Sequence, residues 1–315
     1  MLGDVWSNTI FHVALSTWIT AGLLLGACVL LRGATHVAAV QRRLVAHASS
    51  AAGLGLPQSA EPMVRAAQVR RVRGFSGGGI LGVIIAVVFV YLLGADRGGP
   101  ATMFLLGGFV IVGALGGAIA SVAGEVTRTG DGERVAHGRR ARLADYVPRW
   151  ERVGVRLTVA LSLAVVGVLV LLPRFRELQI TVFPQSFSLA VVVSGLAVAA
   201  LAAFEIGGRL LVARPQTTAS EQELAWDDAL RSAALQDLVI AVFILGAFGA
   251  FSGIQEIEGA LRPRMAGGLG SVEAVNLFGL AVLAAGAAAS VLTSPRRHAR
   301  RTLHADAAPH LVGPK

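Results

Sequence analysis

Three groups of polar residues have types and spacings that could carry chemistry. Thr9, His12, Ser16 and Thr20 follow one another at intervals of three, four and four, which on a helix puts them on one face. Within an apolar helix such a face turns toward protein or a watery cavity. These four are candidate pathway-lining residues, or groups that hydrogen-bond between helices. The second group couples acid to base: Glu125 with Arg128, Asp145 with Arg149, Glu205 with Arg209, and Asp227 and Asp228 with Arg231. Separations of three or four allow ion pairing on a helix face. At the ends of spans, these residues are candidates for a cytoplasmic gate or docking surface, and they serve equally as helix-end pairs that set depth and register. The third is Gly74-Phe75-Ser76-Gly77, which with Gly78 fits the GxSG and GxSxG patterns around a nucleophilic serine.

Catalysis by Ser76 would require a base within hydrogen-bond reach. The only histidine within an apolar stretch is His12, and the threading derived below puts it near the opposite face, most of a ~30 Å hydrocarbon core away. A glycine-rich helix entry explains the segment better. His298, His304 and His310 recur every six residues, a spacing that fits no helix face, and nothing nearby beyond Asp306 completes a metal site. There is no HExxH pair and no GxxxxGK[ST] loop, so zinc-protease and nucleotide-hydrolase readings lack support. Cys28 is the single cysteine and lies in an apolar run. The reading is therefore of a non-enzyme with no catalytic, cofactor-binding or metal-ligating residues and no cofactor. If ATP drives it, another subunit binds the ATP.

The elements that must position these residues follow from composition. Of 315 residues, 54% are hydrophobic and 15% charged, with a mean hydropathy of +0.66. Soluble domains are usually about 25% charged, so a water-soluble globular enzyme is excluded as the leading class. A spanning helix needs about 20 apolar residues, and seven stretches qualify: 10–31, 75–95, 101–124, 153–172, 185–204, 233–251 and 272–293. The expected fold is an all-α, polytopic transmembrane bundle, with residues 1–295 as one membrane domain and 296–315 as a basic, disordered tail. Small-residue pairs (Gly22 with Gly26, Gly78 with Gly82, Gly113 with Gly117, Gly249 with Gly253) suit close helix crossings.

Orientation follows from arginine placement. All but Lys315 of the 28 basic residues are arginine, and 23 of the 28 fall in segments that share one side if the N-terminus is outside. Arg97, Arg174, Arg176, Arg262 and Arg264 fall on the other side. The N-terminus is thus expected outside and the C-terminus in the cytoplasm. The net charge of +9 records this threading. Dense arginine clusters flank spans, so nucleic acid is not an expected partner. The first span has only Asp4 as a charge ahead of it and is too long for a signal-peptide core, so it is expected to stay in the mature protein.

The longest inner segment holds Gly53, Gly55 and Pro57, then Glu61-Pro62 and the stretch Met63 to Arg73, where Met63, Val64, Ala66, Ala67, Val69 and Val72 alternate with Arg65, Arg70, Arg71 and Arg73. Two readings stand: a basic amphipathic helix on anionic lipid, or a helical extension into the second span. A repeat is also visible. Glu125 and Glu205 each follow a small-residue helix end, and Asp145 to Arg149 matches Asp227 to Arg231, at offsets of 80 and 82. These relate a hairpin at 101–172 to one at 185–251, in the same orientation, as in parallel transporter repeats.

The segment Arg214-Pro215-Gln216, followed by Glu223-Leu224-Ala225-Trp226-Asp227-Asp228-Ala229-Leu230-Arg231, resembles uncharacterised multipass membrane proteins of actinobacteria. The likeness covers this loop and its flanking helices, and it implies a bacterial plasma (inner) membrane location, which the arginine-, alanine- and glycine-rich composition of a GC-rich genome suits. The leading expectation is the permease subunit of a transport system, working in the bilayer with a separate ATPase subunit and forming homo- or hetero-oligomers. The alternative is a non-transporting scaffold or regulator that holds other cytoplasmic proteins through the inner loops.

Overall fold

The computed structural model describes residues 2–93, 101–127, 142–171, 189–214 and 220–261. Among these the secondary structure is entirely helical: α1 (Leu2–Ala34), α2 (Ala38–Ala52), α3 (Glu61–Leu93), α4 (Ala101–Val126), α5 (Leu143–Tyr146), α6 (Arg149–Leu171), α7 (Leu189–Ala213) and α8 (Glu221–Leu261). Five of these helices, α3, α4, α6, α7 and α8, are long and apolar enough to cross a membrane. The pair Trp18–Ala34 and Ala38–Ala52, bent by 89°, makes a sixth span if taken together. The chain is an all-α bundle of membrane-spanning helices, and six of the seven expected stretches are helical over their described residues. The seventh, 272–293, and the tail 296–315 lie outside the described residues.

Residues between spans depart from the expected loops for local reasons. Residues 61–73 are the first turns of α3, continuous with the span, so the extension reading holds in place of a separate surface helix. Pro62 fits because the first helical turn needs no amide donor there. Ahead of α3, helix α2 ends at Gly53 with φ 63°, its amide donating to the Ser49 carbonyl at 2.8 Å. That left-handed conformation favours glycine. Helix α7 runs to Ala213, so Glu205 stands within the helix and not at its end. In the other hairpin, Asp145 caps the start of α5 by accepting the Arg142 amide at 2.8 Å, and Pro148 separates α5 from α6. Asp145 and Arg149 are therefore on different helices, and the expected shared face is lost because proline interrupts the helix between them.

The chain forms two compact units. The first contains α1 to α4 and residues 221–237 of α8. Here α3 and α4 cross closely, with no room for side chains: a Cβ on Gly116 would lie 2.9 Å from the Gly78 Cα. Phe75 and Phe109 meet edge to face with centroids 5.7 Å apart. Gly22 and Gly26, by contrast, have open space around them. A second core joins α2, α3 and the start of α8 through Val45, Ala48, Ala52, Leu54, Ala60, Val64, Ala225, Trp226 and Ala229. In the second unit, α6 and α7 pack together with the remainder of α8. Ser162 and Ser194 share a buried hydrogen bond, and a Cβ on Gly249 would come 2.8 Å from the Ser194 hydroxyl. The Ala190 amide at the start of α7 donates to Glu256 at 3.2 Å, satisfying one of the amides a helix start leaves unpaired. The α4 and α6 of the 101–172 hairpin fall in different units. Both units leave broad apolar faces uncovered, including Leu23, Leu30, Leu157, Ile206 and Leu210, as suits contact with lipid.

Candidate functional site

In the first unit, the arginine-rich start of α3 meets the end of α4 and the first part of α8, bringing ionisable groups together. Asp237 is buried on α8, and both of its carboxylate oxygens are engaged. Oδ1 pairs with the Arg71 guanidinium from α3, and Oδ2 accepts the Ser121 hydroxyl from α4 at 2.7 Å. A carboxylate removed from water is costly unless paired and hydrogen-bonded, and this one has both kinds of partner. Glu125, one turn along α4 from Ser121, is also buried. Together with Gln68, Arg70 and the apolar wall of Leu230 and Ala234, these residues line a cavity of about 20 Å³. That is room for about one water. The Nε of Arg70 is buried there without a hydrogen-bond partner. Gly124 makes space for that guanidinium, since a Cβ would lie 2.9 Å from its Cζ.

Toward the start of α8, Asp227 and Arg231 form an ion pair at 3.0 Å, and both side chains are under 10% exposed. Asp228 and Ser232 are buried as well. Trp226 donates its indole N–H to the Gly55 carbonyl at 2.9 Å. The spacing of four does pair Asp227 with Arg231, as expected, but these residues face the interior and offer no surface to a partner.

The second unit arranges its acid and bases openly. Glu205 Oε1 accepts from Arg156 on α6 through Nε at 2.9 Å and through the terminal amino group, while Arg209 one turn on approaches Oε2 at 3.6 Å. Arg156 and Arg209 are both more than half exposed. Exposed pairs of this kind contribute roughly 0–1 kcal/mol each, so the arrangement matters more for where it holds charge than for stability.

Other expected residues divide as follows. Thr9, His12, Ser16 and Thr20 all belong to α1, but the side chains of Thr9, His12 and Ser16, and all of Arg128, lie outside the described residues. Ser76 is fully buried and its hydroxyl bonds back to the Arg73 carbonyl at 3.1 Å, which ties it into the helix. Among the described residues no group of three metal-ligating side chains converges. The residues that sequence reasoning did not group are Arg71, Ser121 and Asp237. Asp237 is an acid one turn inside the 233–251 stretch, but its partners lie 166 and 116 positions away. No protein-family model matches the chain, and neither a curated protein nor a solved structure matches it.

Proposed function

We propose that this protein is a multi-pass subunit of a transport system in a bacterial plasma membrane, working with a separate ATPase, and that the Arg71–Asp237–Ser121 cluster is its inner gate. The observation that carries the reading is the burial of Asp237 on three helices at once. Ionisable groups within spans are expensive, and they mark pathways, relays or gates by default. A carboxylate held by a guanidinium and a hydroxyl from two other helices closes the bundle end when the three meet and opens it when they part. Glu125, Arg70 and the water-sized cavity beside Asp237 supply polar surface for an open state. Because Asp227, Asp228 and Arg231 are buried, docking falls to the exposed arginine-rich segments.

The test is purification of the full chain from native membranes in lipid nanodiscs, followed by identification of stoichiometric partners. An ATPase subunit recovered with the chain is the expected result. A stable complex that contains only proteins without ATPase activity would overturn the transport reading and favour a scaffold.

A further inference from the structure

At the arginine-rich end of the second unit, a cavity of about 370 Å³ opens between α5, α6 and α7, lined by Arg142, Arg152, Arg156 and Arg209 together with Glu205. We infer that this cavity binds a phosphate group, as carried by the headgroup of an anionic phospholipid. Its size falls within the range of roughly 300–1,000 Å³ usual for small-ligand sites. Four guanidiniums and one carboxylate line it, a net formal charge of three positive. Glu205 is occupied by Arg156 and Arg209, and Asp145, in the adjoining turn, holds the Arg142 backbone amide. Arg152 stands apart: its Nε is buried without a hydrogen-bond partner. A buried donor with no acceptor is costly, and a phosphate oxygen is the acceptor this geometry suits, since guanidiniums bind phosphate through paired N–H groups.

The surroundings favour a lipid as the source. Leu143, Val212 and Ala213 give the cavity an apolar wall, and α6 and α7, the two long helices that line it, expose Leu157, Leu161, Ile206 and Leu210 along their length. A charged pocket with an apolar wall, set between two helices apolar enough to span a membrane, suits a headgroup and the start of its acyl chains. Arginines kept here would then do more than orient the chain in the bilayer. They would select which lipid lies against α6 and α7.

Native mass spectrometry of the detergent-purified full chain tests this, with dioleoyl phosphatidylglycerol and dioleoyl phosphatidylcholine titrated separately and inorganic phosphate as a third arm. The expected result is retention of phosphatidylglycerol over phosphatidylcholine, reduced about tenfold by Arg152→Gln and by Arg142→Gln, the scale of one lost charge-assisted hydrogen bond. Arg142 is exposed, so its replacement spares the fold, and Arg43→Gln on the exposed face of α2 controls for loss of charge alone. Phosphate competing with equal strength, without lipid preference, would confirm the phosphate site and assign it to a soluble anion. Equal loss in Arg43→Gln, or no loss in either cavity variant, would overturn the inference.

Discussion

The indole N–H of Trp226 reaches the carbonyl of Gly55 at 2.9 Å and so ties the start of α8 to the turn that follows α2. Trp226 is almost fully buried among Val45, Ala48, Leu54 and Val64. Trp226→Phe keeps the apolar contact and loses the hydrogen bond, at a cost of about 1 kcal/mol. Trp226→Ala opens a cavity and costs roughly 3–5 kcal/mol. Thermal unfolding should rank the two in that order, and trypsin should cut faster at Arg42 and Arg43 in the alanine variant. Equal stability of both variants would show that this core does not hold α2.

The Arg71–Asp237 pair is asymmetric. Asp237 is 7% exposed and Arg71 36%. Removing the arginine leaves a buried carboxylate with its guanidinium gone, whereas removing the carboxylate leaves an arginine that can turn to water. Arg71→Gln should therefore destabilise by about 3 kcal/mol, at the lower end for a broken buried pair, and Asp237→Asn by about 1 kcal/mol. A double-mutant cycle measured by thermal unfolding checks this. Additive losses would mean that the two groups do not interact.

The crossing of α3 and α4 depends on Gly116 and Gly78. Gly116→Ala should cost about 1–3 kcal/mol through overpacking. Gly26→Ala on α1, where the added methyl meets open space, should be neutral or stabilising by about 0.5 kcal/mol. Scanning fluorimetry of both variants in one detergent separates close packing from helix propensity, and a stable Gly116→Ala would refute the tight crossing.

Threading is open to direct measurement. Ser50 is exposed on α2, on the side assigned to the cytoplasm by the arginine distribution. In intact cells Ser50→Cys, in a Cys28→Ala background, should resist a membrane-impermeant maleimide and react after permeabilisation. Gly268→Cys should label without permeabilisation. Ser50→Cys reacting in intact cells would invert the topology.

Hydropathy was enough to place the spans of α3, α4, α6, α7 and α8, because the free energy of moving some twenty apolar residues into a bilayer is a local sum over the segment. The break at Pro148 was also written locally, although reading Asp145 and Arg149 by spacing alone passed over it. Helix α2 escaped notice because its amphipathic face is short and its partners, Val64 and Trp226, are distant in sequence. The spacing of Asp227 and Arg231 established that they share a face of a helix. Which face turns inward depended on the packing of α8 against α2 and α3.

The sequence by itself determined that this is a helical membrane protein, since composition and period are properties of single segments. Only the tertiary structure decided that Asp237 meets Arg71 and Ser121 and that Arg152 joins three other arginines around one cavity. Those contacts are chosen by how whole helices pack, which no local pattern encodes.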